Sequence, residues 1–339
     1  MGDARVTTAG TPETMRACRL HGLEDLRVES IDVPRAAAGE LLVRIEANGV
    51  CATDARKYRV GVNDGVYPFN PGHEWVGRVA ALGAGVDGWS VGQRVYGDTY
   101  GGYAEYATIA VEPGAWSCGP TLIPDDVPLE RAVFLEPLAD CLHALIDQGQ
   151  VGSSDHVVVV AAGSMGLQMI AVASQLGARV TAVEPKSERR ELARRFGATE
   201  AIESDRWPER VQAGADGAPR LVIVCAGDPK LVPQAIEAVA TGGRVVLFAG
   251  FGDRSTTPVD LNAIHYREIE LVGSEWIGAP PNQRRERYGQ AAEIIASGSL
   301  PLEELVSARC SFDDLEDALL GRSELRVLKT VFVPDRADP

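Results

Sequence analysis

The chain has 339 residues, of which 45% are hydrophobic and 24% charged, so it is long enough for two globular domains and too apolar for general disorder. Its formal net charge of −15 argues against nucleic acid or an anionic membrane as a partner, because their phosphate groups would be repelled. The six cysteines are scattered and include no Cys-X-X-Cys pair, and the sequence has neither a signal-peptide pattern nor a run of about 18 apolar residues. These features predict a cytoplasmic protein whose cysteines are thiols.

The opening residues 1–14 are small and polar and are expected to be a flexible lead-in. Beyond them, apolar and β-branched stretches between glycine turns predict strands at 41–47, 77–82, 92–97 and 103–107. Several short strands at this spacing are typical of a compact β-barrel-like domain.

The pattern then changes to an alternation of strands and helices. A helix is predicted at 129–148, followed by strands at 157–161, 179–184, 221–225, 244–248 and 269–273, with helices at 163–177, 188–196 and 230–240. Such alternation predicts a doubly wound parallel sheet, and hence an α/β protein. The helices at 283–296 and 312–320 and a closing strand at 327–333 are expected to return to the first domain. The predicted domains are therefore 15–150 with 285–339, and 151–284.

The turn after the first parallel strand is a candidate dinucleotide site. Ala161-Ala-Gly-Ser-Met-Gly166 is a G-x-G-x-x-G fingerprint with alanine in the first glycine position. Gly163 would let the backbone approach a pyrophosphate, and Gly166 would permit close helix packing. The helix amides starting at Ser164 and Met165 would point at the phosphates. The structural alternative is a tight turn without a ligand.

The residues after the next strand bear on the choice of coenzyme. Glu184 can accept hydrogen bonds from both ribose hydroxyls, which favours NAD over NADP. Basic side chains that could accommodate a 2′-phosphate follow: Lys186, Arg189 and Arg190. Near the C-terminus, either Arg326 or Lys329 is expected to reach the pyrophosphate.

Metal-ligand side chains are concentrated in Gly49-Val-Cys-Ala-Thr-Asp54 and Pro71-Gly-His-Glu-Trp75. Together the two motifs supply a thiolate, a hydroxyl, an imidazole and carboxylates, each beside a glycine or a strand-like run. Thiolate, imidazole and carboxylate suit zinc and leave a fourth position open for water or substrate. Taken singly, each residue has a structural alternative, such as a buried small side chain for Cys51.

Taken in order, the motifs resemble those of the zinc-dependent medium-chain dehydrogenases, and most closely the sorbitol, sugar and aminocyclitol dehydrogenases. The motifs are Cys51-Ala-Thr-Asp54, Gly72-His-Glu-Trp-Val-Gly77, Gly102-Tyr-Ala-Glu-Tyr106, Glu136-Pro-Leu138 and the nucleotide turn. The resemblance covers nearly the whole chain from Met15 onward. It implies a GroES-like β-barrel catalytic domain, a Rossmann domain and a cleft between them.

The resemblance also implies roles for individual residues. Three are implied as protein ligands of a catalytic zinc: Cys51, His73 and Glu136. Glu74 resembles the residue that approaches the metal as an alternate ligand, Thr53 the hydroxyl that accepts the substrate proton, and Asp54 the carboxylate that orients the imidazole. Arg56 stands where the family often has a relay histidine, so the outer proton path departs from the family pattern.

Two further expectations concern the metal count and the pocket. Many family members hold a structural zinc with four closely spaced cysteines, but residues 96–116 contain no cysteine, which predicts one zinc per chain. Tyr58 and Trp75 are candidates for the substrate pocket, since an aromatic face can cover a sugar ring. Core packing is an equally good interpretation of both.

These patterns predict an enzyme that transfers hydride between a secondary alcohol of a polyol, sugar or aminocyclitol and NAD. One alternative is a zinc-free quinone or enoyl reductase of the same superfamily, in which Cys51 and His73 would be incidental. Another is a dinucleotide-binding protein without turnover, for which Arg56 is the only hint. The resemblance implies a homodimer or homotetramer in which the segment 271–277 extends a sheet across a twofold axis.

Overall fold

The structure, a computed structural model, describes residues 11–62, 65–114, 117–214, 217–252, 255–321 and 328–334. Most of the predicted lead-in, and Arg326, lie outside these ranges. The chain forms two compact units, Met1–Glu136 with Pro280–Pro339, and Pro137–Ala279. Among the described helices, none has both the length and the hydropathy needed to cross a membrane.

The elements follow one another in this order. The strands are β1 Thr14–Gly22, β2 Asp25–Asp32, β3 Glu40–Gly49, β4 Trp75–Leu82, β5 Arg94–Gly97, β6 Tyr106–Ala110, β7 Thr121–Leu122, β8 His156–Val160, β9 Arg179–Val183, β10 Glu200–Ile202, β11 Leu221–Val224, β12 Arg244–Leu247, β13 Glu270–Gly273, β14 Val306–Cys310 and β15 Lys329–Phe332. The α-helices are α1 Ala52–Val60, α2 Leu129–Ala132, α3 Leu135–Leu142, α4 Ser164–Gln175, α5 Ser187–Arg195, α6 Trp207–Ala213, α7 Leu231–Ala238, α8 Leu261–Tyr266, α9 Pro281–Ser297 and α10 Leu315–Gly321.

The first unit is organised around β3. This strand pairs antiparallel with β4, β6 and β15, in a sheet whose order is β14-β15-β3-β4-β5-β7. The register sets Asn48 opposite both Trp75 and Phe332. As a result, the end of β3, the start of β4 and strand β15 are neighbours, which brings together the two motifs rich in ligand-type side chains.

The second unit is a parallel sheet covered by helices, which agrees with the predicted doubly wound fold. Within the described residues the strand order is β10-β9-β8-β11-β12-β13. The central strands β8 and β11 are buried along their whole length because both faces are covered. The strand order reverses between β8 and β11, and dinucleotides bind at such switch points.

The boundaries of the units differ from the predicted domain boundaries at 150 and 284. The helix predicted at 129–148 is interrupted: α2 and α3 are separate, and α3 continues into a π-helical turn at His143–Gln148. Pro137 explains the interruption, since its ring would clash with the carbonyl four residues earlier in a continuous helix. The segment after Pro137 belongs to the second unit, where Arg244 Nη1 donates to the Gln148 carbonyl at 2.7 Å.

Candidate active site

Three ligand-type side chains of the first unit converge. The Cys51 thiol, the His73 imidazole and the Glu74 carboxylate have ligand atoms that all lie within 4.8 Å of one another. Cys51 is the extended residue that precedes α1, and the other two residues immediately precede β4. A thiolate, an imidazole and a carboxylate at this separation fit a zinc ion with an open coordination position.

Two glycines make this arrangement sterically allowed. Gly72 has a φ of +90°, and a Cβ there would stand 2.8 Å from the Tyr103 amide nitrogen and 2.9 Å from the Asn48 side-chain nitrogen. A Cβ on Gly49 would stand 2.1 Å from a Glu74 carboxylate oxygen. Any larger residue at either position would displace a neighbour of the metal-ligand cluster.

Asp54 is the ion-pair partner of the His73 imidazole. Its carboxylate is fully buried, and Oδ1 lies 3.3 Å from His73 Nδ1. The Gly72 amide donates to Oδ1 at 3.1 Å, and the Tyr103 hydroxyl donates to Oδ2 at 2.8 Å. An imidazole held at Nδ1 in this way leaves Nε2 available as a metal ligand.

The Asp54 carboxylate and the His73 imidazole each stabilise the charged form of the other. Burial alone would raise the pKa of Asp54, but the charge of His73 and hydrogen bonds from His73 and Tyr103 lower it below its usual value. Burial alone would lower the pKa of His73, but Asp54, and then Cys51, raise it well above the usual range. Asp54 is therefore an anion that stabilises whatever positive charge the imidazole or its metal carries.

Glu74 has an ion-pair partner that the sequence pattern does not predict. Lys329 is buried on β15, its Nζ is paired with Glu74 Oε2, and it lies 5.7 Å from the centre of the Phe134 ring. Lys329 was one of the two residues predicted to reach the pyrophosphate; in the structure its ammonium group is paired with Glu74, and the pyrophosphate role stays a prediction. The partners are 255 residues apart in sequence, so no local pattern could have indicated the pair.

Glu136 lies at the start of α3 and outside the group of ligand atoms within 4.8 Å of one another. Burial raises its pKa to about 7, and the charges of Glu74 and Asp98 raise it while those of His73 and Lys329 lower it. The predicted third ligand is thus near the site electrostatically, while the carboxylate inside the cluster is that of Glu74.

The backbone of the predicted dinucleotide turn is open on one side and tightly packed on the other. It joins β8 to α4, and a Cβ on Gly163 would meet no atom within 4 Å, so the space beside it is open. A Cβ on Gly166 would stand 1.9 Å from the Ala161 carbonyl oxygen, so this position must be glycine. Ala161 itself has a φ of +80°, the left-handed conformation that glycine adopts most easily. Helix α4 begins here, and its first two backbone amides are those of Ser164 and Met165.

Glu184 follows β9 and closes the turn. Its buried carboxylate accepts hydrogen bonds from the amides of Ala162 at 2.9 Å and Lys186 at 3.1 Å. Since a carboxylate has about four acceptor positions, it can still accept from a ribose hydroxyl. Arg190 donates to the carbonyls of Glu184 and Pro185 and is paired with Glu203, and Arg189 lies beside it on α5.

Both units match known protein families. Residues 37–115 match the alcohol dehydrogenase GroES-like domain, and residues 164–297 match the zinc-binding dehydrogenase family. Sorbitol dehydrogenase of Bacillus subtilis is 27% identical over 97% of this chain and 100% of its own length. Erythritol/L-threitol dehydrogenase of Mycolicibacterium smegmatis is 29% identical, over 95% and 98% respectively. The chain belongs to the zinc-type medium-chain alcohol dehydrogenases.

Solved structures agree with the fold of this dehydrogenase. A zinc-binding dehydrogenase from Sinorhizobium meliloti, bound to NADP, has a TM-score of 0.84 and 24% identity, covering 95% of this chain and all of that one. 2R,3R-Butanediol dehydrogenase of Bacillus subtilis also has a TM-score of 0.84, at 22% identity. The predicted family and the predicted fold, a GroES-like domain with a Rossmann domain, are confirmed.

The aromatic residues predicted for the substrate pocket of the dehydrogenase lie in its hydrophobic core instead. Trp75 is fully buried, and its Nε1 donates to the Thr99 carbonyl at 2.7 Å. Tyr58 is 4% exposed and donates to Glu316 Oε1 at 2.5 Å. Burial and the neighbouring carboxylate raise the pKa of this phenol to about 12. Packing is therefore the correct interpretation of both residues.

Another aromatic residue lies at the site and was missed. The Tyr100 ring is 5.3 Å from the His73 ring and 4.9 Å from that of Phe69, both edge-on, and the residue is 42% exposed. The only sequence signal was its place in Thr99-Tyr-Gly-Gly102, directly before the segment that resembles the family. Thr53 and Arg56 are also exposed, on the first turns of α1.

Proposed function

We propose that this dehydrogenase uses one zinc ion and NAD to oxidise a secondary alcohol of a polyol or sugar. The observation that carries the proposal is the convergence of Cys51, His73 and Glu74 within 4.8 Å, with a buried carboxylate behind the imidazole. These donors fit zinc, and neither a silent dinucleotide-binding protein nor a zinc-free reductase would need them.

The residues around the metal-ligand cluster have defined parts in this proposal. Zinc supplies a Lewis acid that lowers the pKa of an alcohol hydroxyl. Asp54 keeps the His73 imidazole oriented, and Lys329 holds one oxygen of Glu74. Thr53, exposed two residues beyond Cys51, is the proposed acceptor of the substrate proton.

A polyhydroxylated substrate is supported by two independent observations. The relatives named above include dehydrogenases of sorbitol and of erythritol or threitol. In addition, the exposed Tyr100 ring beside His73 offers a flat apolar surface with a polar edge, which suits the C–H face of a polyol or sugar. Tyr100 thereby takes the part first predicted for Tyr58 and Trp75.

The preference for NAD rests on the surroundings of Glu184. A 2′-phosphate near this buried carboxylate would be repelled, and Arg190 is already bonded to two carbonyls and to Glu203. A single zinc is supported by the segment after β5, where Asp98 is bonded to Ser117, Cys118 and Tyr288 and no cysteine set is present in 96–116. A cytoplasmic location is supported by six cysteines that form no disulfide.

We also propose a homodimer formed through the edge of the parallel sheet. Among the described strands β13 pairs with β12 on one side, and the region around it exposes Leu271 at 42%, Ile277 at 43% and Tyr266 at 77%. An apolar edge strand is a ready surface for pairing with a second copy. Light scattering of Leu271→Lys should report a smaller particle than the wild type, and an unchanged mass would contradict this interface.

The function is tested with a panel of polyols, sugars, aminocyclitols and simple secondary alcohols, each offered with NAD and with NADP. The expected result is oxidation of a polyol or sugar with NAD, loss of activity after chelation, and recovery with one equivalent of zinc. Activity that survives complete zinc removal would favour the zinc-free reductase. Tight NADH binding without turnover on any substrate would favour the silent binding protein.

A further inference from the structure

A buried phenol near the metal-ligand cluster has no acceptor for its proton among the residues that the structure describes. Tyr96 lies on β5, opposite Val76 of β4, and is fully buried. Its hydroxyl oxygen faces the Glu136 backbone amide, but the hydroxyl forms no hydrogen bond of normal geometry with any described residue. Buried tyrosine hydroxyls usually have a partner, so this one calls for an explanation.

The phenol is held where it is by the surrounding structure. Its ring packs edge-on against Tyr288 of α9, with the centroids 6.4 Å apart, and the Tyr288 hydroxyl donates to Asp98 at 2.9 Å. Asp98 also accepts from the Ser117 hydroxyl and, at 2.8 Å, from the Cys118 amide. These contacts hold the Tyr96 ring in place. A hydrogen-bond acceptor must therefore approach the hydroxyl through movement of its own side chain.

Three carboxylates near this phenol could accept its proton. After burial, the charges of Glu136, Glu74 and Asp98, in that order, raise the pKa of Tyr96. Asp98 already accepts from Ser117, Cys118 and Tyr288, and one oxygen of Glu74 is paired with buried Lys329. Among the described residues the Glu136 carboxylate has no hydrogen-bond donor, and its backbone already lies against the phenol. Glu136 is therefore the carboxylate with the fewest competing donors.

We propose that Tyr96 is a positioning residue for the metal centre: in the zinc-bound protein its hydroxyl donates to the Glu136 carboxylate and holds it in place as a ligand. This inference rests on the proposed function, and it adds Glu136 to the residues that would hold the zinc ion. Partners of this kind fix the orientation of ligating carboxylates, and their loss commonly weakens metal binding by about tenfold to a hundredfold.

The test compares wild type with Tyr96→Phe, which removes only the hydroxyl. Zinc affinity is measured by competition with a chromophoric chelator, and the unfolding midpoint is measured on the metal-free protein. Tyr96→Phe should bind zinc roughly tenfold more weakly, while its metal-free form should unfold at an equal or higher temperature, because an unsatisfied buried donor is removed. A purely structural role would lower the unfolding midpoint instead, and that result would overturn the proposal.

Two matched variants complete the design. Tyr288→Phe removes a hydroxyl from the same aromatic pair but keeps the ring that supports Tyr96, so its zinc affinity should stay within about threefold of wild type. In a Glu136→Gln background, Tyr96→Phe should have little further effect on zinc affinity, because the residue acts through Glu136. Equal losses in both backgrounds, or wild-type affinity in Tyr96→Phe, would overturn the inference. The affinities are independent of turnover, so a wild type that binds zinc but oxidises no polyol refutes only the proposed function.

Discussion

The metal-ligand cluster and the nucleotide turn would hold their ligands by different means. At the cluster, side chains from distant segments meet: Cys51 before α1, Glu74 before β4 and Lys329 on β15. At the turn, six consecutive residues suffice, and the decisive features are the open space at Gly163 and the carbonyl that faces Gly166. The first site therefore depends on side-chain chemistry, and the second depends on backbone shape.

This difference predicts different consequences of substitution. Exchanging a side chain at the cluster should remove chemistry and leave the fold of the first unit largely intact. Adding even one methyl group at the turn should disturb the backbone, and thus stability and dinucleotide binding together.

The largest effect is expected for Cys51→Ala. Loss of the thiolate should abolish tight zinc binding, and removal of a Lewis acid worth several kcal/mol of transition-state stabilisation should lower kcat/KM by roughly 10³-fold or more. Zinc content by atomic emission and steady-state kinetics provide the measurement. Cys18→Ala is the control, because Cys18 is buried in the core, where burial raises its pKa to about 12. A Cys51→Ala enzyme with full activity would rule out the metal-dependent mechanism.

The second effect concerns Gly166→Ala. The new methyl group would stand 1.9 Å from the Ala161 carbonyl oxygen, which belongs to the backbone and cannot swing aside. The free energy of unfolding should fall by about 1–3 kcal/mol, as for other overpacked sites, and NADH should bind more weakly.

Gly163→Ala is the matched variant for this experiment. A Cβ at Gly163 meets no protein atom within 4 Å, and its φ of −77° suits any residue. Denaturation without coenzyme should therefore leave Gly163→Ala close to wild type, while fluorescence titration with NADH should show weakened binding. Equal destabilisation of the two variants would mean that Gly166 is not the packing-limited position.

Much of this contrast could be predicted from the sequence. The nucleotide turn is a contiguous motif between a strand and a helix, so its elements and the place of Glu184 follow from local patterns. The fold was predictable for the same reason, since alternation of strands and helices extends over the whole second unit. Cys51 and His73 belong to short motifs whose flanking strands pair, and the register between Asn48 and Trp75 accounts for their meeting.

What could not be predicted depends on long-range contacts. The positive charge of Lys329 suggested a phosphate contact, but the pairing of β15 with β3 places the Lys329 ammonium group beside Glu74. Aromatic residues have no local signal for burial, so Trp75 and Tyr58 could be assigned to a pocket or to the core until their neighbours were known. Tyr96 is the same case: its unsatisfied hydroxyl is visible only once Glu136 and Tyr288 are beside it.

A smaller effect, on the choice between NAD and NADP, is expected for Glu184→Gln. This variant tests whether the turn selects the coenzyme. Without the negative charge, the repulsion of a 2′-phosphate is relieved, so the ratio of kcat/KM for NAD to that for NADP should fall by roughly tenfold, or about 1.4 kcal/mol. Glu188→Gln makes the same charge change on a fully exposed side chain of α5, and it should leave the ratio unchanged. If both variants change the ratio alike, net charge rather than Glu184 determines the preference.

The smallest effect is expected for Ala161→Gly, and it has the opposite sign. Ala161 has a φ of +80°, which costs a non-glycine residue roughly 1–2 kcal/mol. Glycine would relieve this strain but lose about 0.4–1 kcal/mol through the greater freedom of the unfolded chain. The net result should be a gain of about 0.5–1 kcal/mol in the free energy of unfolding, measured by urea denaturation. Ala162→Gly, at the next residue and without a positive φ, should instead lose stability, because it gains the same freedom and relieves no strain. Similar losses of unfolding free energy in both variants would show that Ala161 is not strained in the turn. Alanine in place of the first glycine would then have no energetic consequence.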